Sequence, residues 1–128
     1  MPGATATSDL SIDITGLRSA RGSLQLCLTA DPAHFPSCAG DADAVTRTVP
    51  ATGHEIRIPA LPYGDYGIAV IHDENDNHKL DTILGVPREG FGFSRNPPIG
   101  FGAPRFSAVR FAIEGDAAAQ QVRMRYLL

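Results

Sequence analysis

No apolar run in this chain approaches the roughly 20 residues that a membrane-crossing helix needs, and no segment sustains a 3.6-residue apolar period. Basic residues are not in excess: 11 Lys and Arg stand against 14 Asp and Glu, interspersed along the chain, for a formal net charge of −3. That balance supplies no basic stripe to neutralise phosphates and argues against a nucleic-acid partner. Cysteine is scarce. There are two, Cys27 and Cys38, and they do not form a CxxC, which argues against a thiolate zinc site. Catalytic signatures are missing as well. Ser94 follows glycines, but Asn96 stands where the second glycine of a nucleophile elbow belongs. No glycine-rich loop carries the Lys and hydroxyl of a phosphate cradle. Residues 1–8 are small and polar, with neither the basic nor the apolar region of a signal peptide. They are expected to form a disordered lead into one folded domain spanning 9–128.

What is present is alternation with a period of two. Leu10, Ile12 and Ile14 share one face of a candidate strand, and Leu24, Leu26 and Leu28 repeat the pattern with Cys27 on the opposite face. Ile56 and Ile58, then Val109, Phe111 and Ile113, then Val122, Met124 and Tyr126 do the same. Residues 66–71 are apolar on both parities, which marks a strand covered on both faces. Short strands at this spacing predict an all-β fold, a single antiparallel sandwich. A short helical turn is expected after Asp31-Pro32 and another near Ser107. Between Thr82 and Arg105 the chain is rich in Gly and Pro, interleaved with Phe91, Phe93 and Phe101. This is expected to be a long ordered loop, its aromatics either sealing the core or forming a ligand surface.

The sharpest local feature is DENDNHKLD at 73–81. Asp73, Asn75, Asn77 and Asp81 fall at relative positions 1, 3, 5 and 9, and the Lys79 carbonyl stands at position 7, a spacing that turns oxygen ligands inward around one ion. Hard oxygen donors of this kind predict Ca²⁺ rather than a transition metal. The pattern departs from an EF-hand-like loop at His78, where glycine eases the turn, and at Leu84, where a bidentate Glu belongs. Glu74, Asp76, Glu89 or water would complete the shell. The alternative is a tight turn whose Asx side chains satisfy their own backbone. His72 and His78 raise a zinc or general-base reading, but His72 and Asp73 are adjacent on an extended chain and point to opposite faces. His34 and His54 sit in polar surroundings and read as surface residues, and Arg88, Glu89 and Arg95 as a solvated charge cluster.

Several segments together resemble a known pattern: LPYGDY at 61–66, IHDEN at 71–75, KLD at 79–81, GVPREGFGFS at 85–94 and FGAPRF at 101–106. The chain is identified by them as similar to the bacterial DUF2141 family, with the resemblance running from about residue 9 to 128. It implies a small exported β-sandwich, transthyretin-like or Ig-like, located in the periplasm or secreted, and it transfers no catalytic residues. Export in turn favours a Cys27–Cys38 disulfide over two free thiols. The resulting expectation is a non-enzymatic binding module. Its Ca²⁺ loop would support a loop that presents Arg88, Glu89, Phe91, Phe93, Arg95 and Phe101 to a small molecule, glycan or envelope protein. The alternatives are a structural, protein-interaction domain of the envelope and a metal-dependent hydrolase using His72 with the loop carboxylates.

Overall fold

The structure, a computed structural model, describes residues 6–76, 82–83, 86–87, 89–98 and 103–127. Along the chain the strands are β1 (Thr7–Thr15), β2 (Ser23–Thr29), β3 (Val45–Pro50), β4 (Glu55–Pro62), β5 (Gly64–Asp73), β6 (Thr82–Ile83), β7 (Val86–Pro87), β8 (Gly90–Phe93), β9 (Phe111–Ile113) and β10 (Ala117–Arg123). A 3-10 turn covers Pro32–His34, and one helical turn, α1, covers Phe106–Val109. β1 opens at Thr7, two residues ahead of the expected start, and Ser8 is already buried.

Two sheets face each other. The first runs in the order β10-β1-β4, and the second in the order β3-β2-β5-β8, with β9 added to the early part of β5. Among the described residues all strand pairings are antiparallel except β1 with β10, which run parallel from Asp9 opposite Ala117 to Thr15 opposite Arg123. The alternation in the sequence is what fills the space between the sheets. Leu10, Ile12, Ile14, Ile56, Ile58 and Val122 face Leu24, Leu26, Leu28, Ile68 and Val70 in one buried cluster. Each such side chain contributes about 1.5–3 kcal/mol on burial.

The second sheet is also covered on its outer face, as the two-sided apolarity of 66–71 predicts. Cys27, Ala69 and Phe93 on that face pack with Cys38 and Val109, and Phe35, Phe91 and Phe106 cover them. The rings meet edge-on or tilted, Phe35 with Phe93 at 6.0 Å and with Phe106 at 5.8 Å. Inside this second core Cys27 and Cys38 form a disulfide with a Cα–Cα distance of 5.7 Å. Val109, expected to begin a strand, instead closes α1, and only Phe111–Ile113 extends.

The Gly- and Phe-rich stretch is not one loop. Gly90–Phe93 is a strand that pairs with Ala69–His72 of β5. Its phenylalanines lie on the outer face and its glycines on the inner one. A side chain at Gly90 would overlap the Tyr126 ring, and one at Gly92 would come within 2.7 Å of Val122 Cγ1. Glycine therefore lets β8 close against the end of β10, where Phe91 and Arg125 exchange backbone hydrogen bonds of 3.0 and 2.8 Å. No helix among the described residues is long and apolar enough to cross a membrane.

Candidate functional site

β5 ends in the acidic turn. Its last two residues, His72 and Asp73, are both buried and point to opposite faces of the sheet, as their adjacency requires.

His72 faces inward and is fully enclosed. A carbonyl can only accept, so its Nε2 donates to Arg21 O at 2.7 Å. Its Nδ1 lies 2.7 Å from Tyr126 Oη, which itself accepts the Arg18 backbone N–H at 3.2 Å and so donates to the ring. Burial raises the Tyr126 hydroxyl above its usual range. Both ring nitrogens are thus committed to structural partners. Ser94 is equally enclosed: its hydroxyl accepts from Ile68 N at 3.0 Å and donates to Val109 O at 2.6 Å.

Asp73 faces outward, on the side of Ala69 and Ile71, and accepts from Gln25 Nε2 at 3.0 Å. Its backbone carbonyl receives Asp76 N–H at 3.3 Å, and Asp76, at φ 56°, takes a 2.8 Å hydrogen bond from Ser23 Oγ. Both carboxylates therefore reach across to β2. Asn75 is exposed at the turn. β5 and β8 pair as far as His72 with Gly90, and Glu89 immediately precedes β8. Asp73 and Glu89 are both buried, at 1% and 5% exposure. Glu89 is not the solvated charge the sequence suggests.

Glu74 turns the other way, into a clamp supplied by the chain between β1 and β2. Arg18 Nε and Nη2 donate to Oε1 at 2.8 and 2.6 Å, while Ser19 Oγ and Arg21 Nη2 donate to Oε2 at 2.8 and 3.3 Å. Burial alone would raise this carboxyl. The Arg18, Ser19 and Arg21 hydrogen bonds and the Arg18 charge outweigh it and bring the pKa down from 4.5 to about 2. Arg18 also lies over the Tyr126 ring, 4.4 Å from its centroid, so the clamp and the His72 network share one residue. Nothing in the sequence announces this clamp, because its members lie more than 50 residues apart.

Of the remaining expected site residues, Asn77, Lys79, Asp81, Arg88 and Phe101, with His78, lie outside the described residues. Phe93 is 8% exposed and Phe91 half-buried, both packed into the outer-face core. Arg95 is exposed, at φ 64°, and donates to Arg110 O at 3.3 Å. Next to it Asn96 binds β10 as a strand would: Nδ2 donates to Gln121 O at 3.0 Å and Oδ1 accepts Arg123 N–H at 2.8 Å. Gly92, Phe93, Asn96, Pro97, Arg123 and Arg125 line a shallow surface depression at this seam. His34, which reads as an ordinary surface residue, instead sits half-buried with Nδ1 2.7 Å from Asp31 Oδ2.

The sequence model of a bacterial family described as "Uncharacterized protein conserved in bacteria (DUF2141)" matches residues 12–121. No curated protein and no solved structure matches the chain.

Proposed function

The chain belongs to the DUF2141 family of proteins conserved in bacteria, and from that premise we propose that it is an exported, non-enzymatic binding module stiffened by a Ca²⁺-type ion. The ion is held at the turn after β5 by Asp73, Asn75, Asn77, the Lys79 carbonyl and Asp81. The observation that carries this reading is the burial of Asp73, which ends β5, and Glu89, which immediately precedes β8, at 1% and 5% exposure. Oxygen donors that are already held in place bind a hard divalent cation at a smaller cost in side-chain freedom.

The Cys27–Cys38 bridge supports export, because disulfides persist in oxidising compartments. The non-enzymatic reading is supported by His72 and Ser94, whose polar atoms are fully engaged within the fold. The ligand face is assigned to the β8–β10 seam. The seam offers a surface depression rather than an enclosing pocket, and the Arg123 and Arg125 guanidiniums favour an anionic group laid across it, such as a carboxylate on a glycan or peptide.

The test is a thermal melt of chelated protein with and without Ca²⁺, Mg²⁺ or Zn²⁺. A loop of this incomplete type belongs with weak sites of about 10⁻⁴–10⁻³ M. At tenfold saturation it stabilises by about 1.4 kcal/mol, a rise of roughly 5 °C for a chain this size. Asp81→Ala should abolish the rise and Glu89→Gln should reduce it. A melting temperature indifferent to every ion would leave the turn self-bonded and refute the reading.

A further inference from the structure

A second group of donors lies at the other end of β2. Asp31, His34 and Asp41 each present a ligand atom, all within 4.8 Å of one another, and all three residues are half-buried. β2 separates them from the acidic turn: Ser23 pairs with Asp73 at one end, and Thr29 leads into Asp31 at the other. Six strand steps put the two groups about 20 Å apart.

We propose that Asp31, His34 and Asp41 form an exchangeable site for a first-row transition-metal ion of the Zn²⁺ class, distinct from the Ca²⁺-type turn. The donor set is mixed, one imidazole nitrogen with two carboxylates, and imidazole is what selects zinc-like ions over calcium. Each ligand is already held. Asp31 Oδ1 accepts Ala33 N–H at 2.9 Å as the cap of the 3-10 turn, which leaves Oδ2 directed at His34 Nδ1. Asp41 Oδ1 accepts Asp43 N–H at 3.0 Å, and its Oδ2 accepts from the buried Thr29 hydroxyl at 2.5 Å. Such outer partners orient metal ligands and fix their basicity. The Cys27–Cys38 bridge holds the segment that carries Asp31 and His34 to β2.

The geometry is close to closure. With bonds of about 2.0–2.2 Å, ligand atoms on one zinc ion stand about 3–4 Å apart, so partly exposed aspartates need only small side-chain rotations. The ion would replace the direct 2.7 Å contact between His34 Nδ1 and Asp31 Oδ2. Three protein ligands leave at least one position to water, and the half-exposed setting lets the ion leave, which makes the site exchangeable rather than structural.

The experiment is a titration of untagged, chelator-treated full chain with Zn²⁺ by calorimetry, and with Co²⁺ by its visible absorption. One saturable equivalent is expected, unaffected by millimolar Ca²⁺ and retained in Asp81→Ala. His34→Ala and Asp41→Asn should each weaken it by more than about tenfold, since even indirect partners of a metal ligand count on that scale. Because His34 is half-exposed, the metal-free melt of His34→Ala should match that of the parent, and His34→Gln serves as a second variant. No saturable binding by the parent, or undiminished binding by either His34 variant, would overturn the site. Loss of binding in Asp81→Ala alone would assign the ion to the acidic turn instead.

Discussion

Glu74→Gln isolates what the clamp contributes. The substitution keeps the size and one acceptor oxygen of the side chain but removes the charge that Arg18, Ser19 and Arg21 surround. Lowering the carboxyl from 4.5 to about 2 corresponds to about 3 kcal/mol of folding free energy if nothing screens it. Solvent does screen it. Glu74 is 11% exposed, but Arg18 and Arg21 are 40% and 76% exposed, which discounts the figure to about 1–2 kcal/mol. At pH 7 the variant should therefore melt about 4–8 °C below the parent. The pH dependence follows from the direction of the shift. A depressed acid stabilises the fold above its unfolded pKa, and that contribution fades as pH falls from about 4.5 through about 2. Parent and variant melting curves recorded from pH 7 downward should stay separated to about pH 5 and converge towards pH 2. The gap should also shrink in about 1 M salt, where the Debye length is about 3 Å. Equal stability at pH 7, or a gap that persists unchanged to pH 2, would refute the account of Glu74 as a charged anchor.

Two further substitutions probe the same framework. Gly22→Ala should destabilise by about 2–4 kcal/mol in denaturant titration, because Gly22 sits at φ 70° and a Cβ there would overlap the Asp73 carbonyl and the Glu74 backbone. A loss below about 1 kcal/mol would mean the Arg18–Glu74 segment repacks freely. Cys38→Ser opens a loop with a sequence separation of 11. It should cost about 3 kcal/mol, read as a melting-temperature drop that reducing the parent protein reproduces.

The sandwich was legible in the sequence wherever burial is one-sided and strict. Leu10, Ile12 and Ile14 alternate because a strand with one face on a core leaves no other arrangement, and 66–71 are apolar throughout because β5 is covered twice. The Asp31 cap was legible too, since an Asp before a Pro at the start of a turn satisfies an orphan N–H locally. What misled was glycine. Gly90 and Gly92 alternate with Phe91 and Phe93, a period-two pattern in which the inward residue has no side chain because Tyr126 and Val122 already fill that space. Read by composition it is a loop; read by period it is β8. The charge networks were illegible for a different reason. Arg18 and Glu74, or His72 and Tyr126, meet only because β1, β2, β5 and the chain end converge, and no local pattern encodes a contact across more than 50 residues.

The two proposed ion sites follow from one architectural feature, the second core on the outer face. A sheet whose outer face was bare would leave the 30–44 segment attached only at its ends. Phe35 packs that first segment against Phe93 and Phe106, and the disulfide joins Cys38 to the middle of β2. Asp31, His34 and Asp41 thereby acquire fixed positions at a cost in chain entropy that the aromatic packing already offsets. At the opposite end of the same face, Phe91 and Phe93 hold β8 on β5, whose last residue is Asp73, and Glu89 immediately precedes β8. Phe91 and Phe93, two of the three aromatics expected to present a ligand, belong to the packing that holds the β2–β5–β8 sheet together.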